Sequence, residues 1–262
     1  MHLYFNLLGF KLPSYGLMIV IGLILANMIA MHIVKKNHLD HNNMILLEAY
    51  ALLGVVIGAK ILYLLALVYR SGIGLLLSKT GLLAILGTGY SFLGGVAGCI
   101  ITIVLCTKIH RFDPRPYINK LFFLFPFVHG FCKIGCFMAG CCYGIEYNGF
   151  GAVVFPHPSL APSGIPLFPV QLVEAICLML ISMLIFFLQK RFTDDYSIEI
   201  YLISYGIVRF ILEWLRYGSN PLGDTPFTLA QWFSILFIIL GFILITCNIR
   251  IFSEHKKAAM KD

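Results

Sequence analysis

Tyr205, Arg209 and Glu213 follow one another at four-residue intervals in the run SYGIVRFILEWLRYG. An α-helix places all three on one face, and Arg216 continues that side. A guanidinium beside a carboxylate supports two readings. One is an ion pair that fixes neighbouring helices. The other is a cationic site for a phosphate, with Glu213 holding Arg209 in place. Arginine suits the second because its planar fork binds two oxygens at once and stays charged. The run FVHGFCKIGCFMAGCCYG repeats the spacing with His129 and Lys133, and again with Cys132 and Cys136. A histidine followed one turn later by a lysine predicts the polar wall of a cavity, against the reading of a packed, satisfied imidazole. Cys136, Cys141 and Cys142 extend this into a thiol cluster. The spacing is not C-x-x-C, so a zinc or thioredoxin-type match is weak and no metal is expected. Inert buried thiols compete here with a nucleophilic or redox role, which the nearby Lys133 would favour by stabilising a thiolate.

These groups must be positioned by apolar elements. The chain has 262 residues, 60% hydrophobic and 12% charged. A soluble domain carries about 25% charged residues. The composition excludes a soluble enzyme, a disordered chain and a nucleic-acid binder with a basic surface. About 20 apolar residues cross a bilayer. Seven stretches approach that length: 15–34, 44–69, 92–109, 117–139, 170–189, 196–216 and 228–248. The predicted fold is an all-α polytopic membrane domain over 1–262, without period-2 alternation that would signal a barrel. Residues 72–90, apolar but broken by Lys79, Gly81, Gly87 and Gly89, read as a re-entrant or interfacial segment. No cleavable signal pattern is expected at the start.

The net charge of +7 tests as topology. With the N-terminus outside and the C-terminus cytoplasmic, the inner side collects Lys35, Lys36, Lys108, Arg111, Arg115, Lys120, Lys190, Arg191, Arg250, Lys256, Lys257 and Lys261. The outer side holds Lys11, Arg70, Lys79 and Arg216. This is a positive-inside bias. Residues 144–169 contain no Lys or Arg and are rich in Gly and Pro, as expected of an external arm or lid; 249–262 is a basic cytoplasmic tail. Lys60, Lys133 and Arg209 remain inside the spans, where a charge marks a functional site. Glu48, Glu174 and Glu199 fall near span ends, where an interfacial placement explains them equally well.

Several segments carry a family resemblance in order: Tyr15-Gly16-Leu17, GAKILY (58–63), SFLGGVAG (91–98), KIGCFMAG (133–140), FPVQLVE (168–174), YGIVRFILEWLR (205–216) and TLAQWFS (228–234). Together they resemble the prolipoprotein diacylglyceryl transferases of the bacterial inner membrane, over nearly the whole chain. The resemblance implies a multi-pass enzyme of the cytoplasmic (inner) membrane. Its expected chemistry moves a diacylglyceryl group from phosphatidylglycerol to the lipobox cysteine of a precursor protein and releases a glycerol phosphate. It implies phosphatidylglycerol, other membrane lipids and lipobox precursors as partners, with no nucleic acid and no cofactor. Arg209 matches the family's essential arginine, Tyr205 and Glu213 its neighbours, and Tyr15 the tyrosine of the first span. Lys133, Lys60, Arg216 and Gln171 are then expected on the phospholipid headgroup, with Lys133 and Lys60 standing where the family has arginines.

Some family positions are changed. Leu93 replaces the histidine of S-F-H-G-G, a proposed base. Cys141 stands in place of a glutamate, Cys136 of an asparagine and Phe168 of a histidine. His129 and Cys141 are the groups that could take over as base. A paralogue using another phospholipid or acceptor is a close variant. A thiol redox protein built on Cys132, Cys136, Cys141 and Cys142 is the alternative of a different class, and an anion transporter is a third that the absence of repeated halves weakens.

Overall fold

The computed structural model describes residues 4–7, 10–71, 91–157, 159–191 and 196–259. The predicted re-entrant segment 72–90 lies outside the described residues. The chain divides into two units, Met31–Ile118 and a second made of Met1–Ala30 with Asn119–Asp262.

The unit Met31–Ile118 is built on α2 (His41–Ser71) and α3 (Phe92–His110). Gly54 and Gly58 face Gly94 and Gly98 so closely that a Cβ on Gly58 would strike the Gly94 carbonyl, and one on Gly98 the Gly54 carbonyl. Without a hydrophobic drive between helices in lipid, such close backbone approach is the main source of pairing. Ser91 begins α3: its Oγ accepts from Gly94 N at 3.4 Å, and its own N–H donates to Ala59 O on α2 at 3.0 Å. Gly58→Leu is therefore expected to lower stability by about 3 kcal/mol through overpacking, read as a fall in thermal midpoint in detergent. An equal change at lipid-facing Val56, 56% exposed, should leave it unchanged.

The other unit holds α5 (Leu124–Ala139), α6 (Val170–Arg191), α7 (Ser197–Glu213), α8 (Leu229–Ala259) and most of α1 (Ser14–Lys36). The predicted span 117–139 is two helices, α4 (Arg115–Leu121) and α5, bent by 50°. Pro126 explains the break, since it has no N–H for the Phe122 carbonyl and its ring crowds it. Phe122 O accepts from Phe125 N at 2.9 Å instead, and Ser182 Oγ of α6 donates to Phe123 O at 2.7 Å. On α6, Val170, Gln171, Glu174, Leu178, Ile181 and Ile185 are buried while Ile176, Leu180, Met183 and Phe187 are exposed. Apolar groups on both faces are what a lipid-bathed helix requires.

Five helices are long and apolar enough to cross a membrane, six if the bent pair is one span, among the described residues. The protein is a multi-pass membrane protein. The predicted span 196–216 is helical over 17 residues as α7. Two short hairpins depart from the all-helical expectation: β1 (Tyr4–Leu7) with β2 (Phe10–Pro13), and β3 (Val153–Val154) with β4 (Pro166–Leu167). The second lies in the 144–169 arm. Phe155, Ala161 and Leu167 form a small core there with Phe137, Tyr143, Val153 and Ile165. Ile145 N donates to Leu215 O and Phe168 N to Ile145 O, both at 3.0 Å, so the arm is stitched to the ends of α6 and α7.

Candidate active site

Glu174 is the centre of the site. Its residue is 3% exposed. Oε1 lies 2.9 Å from Lys133 Nζ and accepts from the Tyr205 hydroxyl at 3.0 Å. Oε2 lies 3.9 Å from Arg209 Nη1. Helices α5, α6 and α7 thus meet through one carboxylate. The sequence reading left Glu174 open between interface and interior. Its position in the first turns of α6, one turn from Gln171, was a visible signal, but only packing shows that it is buried.

Arg209 Nη2 lies 2.7 Å from Glu213 Oε2, four residues on. Glu213 Oε1 accepts from Thr228 Oγ1 at 3.2 Å. Thr228 in turn begins α8 in a reciprocal cap: its Oγ1 accepts from Gln231 N at 3.2 Å, and Gln231 Oε1 accepts from Thr228 N at 3.0 Å. The TLAQ segment thereby fixes the carboxylate that fixes the arginine. Thr228→Ala is expected to cost about 1 kcal/mol through the lost cap, measured as a lower thermal midpoint, while Thr228→Ser should largely retain it. Two cations and two carboxylates balance in this cluster. Yet Arg209 Nη1 is buried and, among the described residues, has no hydrogen-bond acceptor. Leaving such a donor unmet costs at least 1–3 kcal/mol, about the scale of a charged hydrogen bond.

A cavity of about 300 Å³ opens beside this pair, lined by Glu213, Arg216, Ser219, Thr228 and Gln231 among others. Arg216 lies beyond the end of α7, in a backbone bridge to Gly144. On the other side, His129 Nδ1 and the Tyr201 hydroxyl are 3.2 Å apart. The His129 ring stands edge-on to Tyr205 at 4.9 Å, and Tyr201 and Tyr205 stack at 5.5 Å. His129 therefore borders the Glu174 cluster through Tyr205. Tyr201 escaped the sequence reading, although it lies four residues before Tyr205 on the same face.

The thiols sit at the end of α5. Gly140 ends the helix in the left-handed region with φ 73°, and Cys142 adopts φ 57°, unusual for a side-chain-bearing residue. This double turn gathers the sulfurs of Cys136, Cys141 and Cys142 within 4.8 Å of one another. The Cys142 thiol is pushed below the usual range, first by hydrogen bonds from Cys136 and Cys141, then by Arg216 and Lys133. Gln171 Nε2 donates to Cys141 O at 2.8 Å, so α6 holds the turn. Tyr15 stands in the first turn of α1, and its backbone lies against Gly135, where a Cβ would meet the Tyr15 carbonyl at 3.1 Å.

Of the residues singled out from the sequence, Tyr205, Arg209, Glu213, His129 and Lys133 converge on Glu174. Gln171, Cys136, Cys141 and Cys142 adjoin them through the α5 end. Lys60 belongs to the other unit, on α2, with its Nζ 5.7 Å over the Tyr63 ring centroid.

The sequence matches the family described as Prolipoprotein diacylglyceryl transferase over residues 2–247. It is 27% identical to phosphatidylglycerol–prolipoprotein diacylglyceryl transferase 2 of Clostridium perfringens, over 92% of each chain. The enzyme of that name from Clostridium tetani is 28% identical over 90% of this chain and 93% of its own. That of Campylobacter hominis is 30% identical over 91% and 87%. With its helices, its Arg209–Glu213 motif and these likenesses in agreement, the chain belongs to the prolipoprotein diacylglyceryl transferase family.

Proposed function

We propose that the protein transfers the diacylglyceryl group of phosphatidylglycerol to the lipobox cysteine thiol of a prolipoprotein in the bacterial inner membrane. The observation that carries this reading is Arg209: a buried guanidinium, clamped by Glu213, with Nη1 left without an acceptor among the described residues. A phosphodiester oxygen meets that donor. Lys133 adds a second cation as a point charge without the fork, and Arg216 supplies a third beside the cavity. The acceptor sulfur attacks the glyceryl carbon, the C–O bond breaks, and glycerol phosphate leaves with the electron pair. Charge grows on the phosphate as it leaves, so cations fixed in a dry site lower the barrier. Glu174 and Glu213 hold the cations, Tyr205 orients Glu174, and Gln171 and Tyr15 border the headgroup. His129 takes the acceptor's proton, since Leu93 occupies the position that resembles the family's histidine.

In this reading the chain crosses seven times, with α7 completing the count, the N-terminus outside and the C-terminus in the cytoplasm. The 144–169 arm then lies outside, where Phe150 and Leu160, 101% and 64% exposed, offer an apolar edge to the precursor. The test is incubation of purified protein with labelled phosphatidylglycerol and a lipobox peptide. The peptide should gain one diacylglyceryl group on cysteine, and a serine peptide should gain none. No transfer across varied lipids and detergents overturns the proposal.

A further inference from the structure

We propose that Cys136, Cys141 and Cys142 hold a zinc ion whose fourth position binds the acceptor thiol as a thiolate. The inference rests on the transfer reaction proposed above and assigns how its nucleophile is made.

Three sulfurs within 4.8 Å of one another fit a small thiophilic cation. Zinc bound at about 2.3 Å to each sulfur sets them roughly 3.8–4.0 Å apart, so a closing movement of no more than about 1 Å separates the cluster from a ligating geometry. Two features hold the sulfurs together. Cys142 keeps a left-handed backbone that a side chain disfavours, which turns it back towards Cys136. Gln171 fixes the Cys141 carbonyl from α6. Cys136 is buried while Cys141 and Cys142 are partly buried, so the cluster is rooted in the protein and reaches solvent-accessible surface through the last two.

The ligand count is what gives the site a purpose. Structural zinc takes four protein ligands, whereas catalytic zinc takes three and leaves a position for the reactant. Only three of these ligands occur here among the described residues. The reactant in this chemistry is itself a thiol. Coordination lowers the thiol's pKa, and its proton is relayed through water to His129, about two turns before Cys136 on α5. The resulting thiolate is the nucleophile. Sulfur then forms its bond to the glyceryl carbon as the C–O bond breaks, and the thioether, a weaker ligand, departs. The location agrees. Cys136 lies one turn beyond Lys133 on α5, and the turn is bound to Gln171, one turn before Glu174 on α6. The metal would stand within about 5–10 Å of the headgroup cations, at 1.5 Å of rise per residue.

The experiment uses full-length protein in detergent, stripped and reloaded with zinc or cobalt(II). One metal per chain is expected, with a cobalt–thiolate charge-transfer band that rises by roughly a third when a cysteine lipobox peptide makes three thiolates four. A serine peptide should leave it unchanged. Zinc should shield Cys136, Cys141 and Cys142 of the unmutated protein from alkylation, mapped by mass spectrometry, and Cys141→Ser should lose the metal. Chelation should slow transfer at least tenfold, with recovery on zinc. No retained metal and unshielded thiols overturn the site, whatever the transfer activity. Metal binding with a spectrum indifferent to the peptide overturns the acceptor role. A responsive spectrum without lipid transfer in any preparation leaves the site standing and removes the reaction proposed for it.

Discussion

Replacing Arg209 by alanine is expected to lower kcat/KM for phosphatidylglycerol by about 10²–10³-fold, the loss seen when one preorganised donor is taken from a developing oxyanion. Three parts of the geometry set that scale. Nη2 is paired with Glu213 at 2.7 Å, Nη1 is buried without a hydrogen-bond acceptor among the described residues, and the side chain is only 14% exposed, so little water can substitute. The variant also strands Glu213, whose Oε1 is left with Thr228 alone. Some of the loss would then be structural, and Arg209→Lys separates the two. It keeps the charge beside Glu213 but lacks the second nitrogen. A phosphate-binding role predicts a fall of roughly tenfold, the worth of one charge-assisted hydrogen bond, at an unchanged thermal midpoint. A purely structural ion pair predicts nearly full activity for the lysine form. Kinetics with the folded fraction measured in the same samples decides between them.

The helix face that carries Tyr205, Arg209 and Glu213 was legible because four-residue spacing is a local property of one helix. The apolar lengths of α1, α2, α6 and α8 were legible for the same reason. What one helix does to another was not. Glu174 stands near a helix end, and a carboxylate there is satisfied equally by water or by buried cations. Only the meeting of α5, α6 and α7 shows that Lys133, Arg209 and Tyr205 reach it. The break before α5 was written in Pro126, whose effect on the Phe122 carbonyl is local, but the apolar run across it hid the bend. The thiols show a third limit. A spacing of five residues and then one matches no familiar ligand motif, and it becomes a cluster only because Gly140 and Cys142 both take left-handed conformations. Sequence spacing assumes regular backbone, and that turn is not regular. Lys60, expected on the headgroup because a charge in a span is costly, lies on α2 with its Nζ over the Tyr63 ring.

Glu174 leads to the second large effect, and its sign is opposite for substrate binding and turnover. The carboxylate now occupies the cations that a phosphate must share, so it competes with every anion that enters. Glu174→Gln keeps the shape and an oxygen for the Tyr205 hydroxyl but removes the charge. The cluster then carries one excess positive charge. A unit charge about 4 Å from another is worth about 4 kcal/mol at an effective dielectric of 20, and solvent and relaxation leave a fraction of that. Glycerol phosphate should consequently inhibit the variant at least tenfold more strongly than the parent. Turnover should fall at least tenfold, because product leaves slowly and Lys133 and Arg209 lose the anchor that aims them. Glu174→Ala goes further: it strands Lys133, Arg209 and Tyr205 together, and removing one partner of a buried ion pair costs about 3–5 kcal/mol. It should therefore unfold at a markedly lower temperature, where the glutamine form does not. If Glu174 were only a structural tie, the glutamine form would show weaker packing and no gain in anion affinity. Product inhibition by glycerol phosphate, measured beside thermal unfolding for both variants, separates a carboxylate that tunes a phosphate site from one that merely holds three helices together.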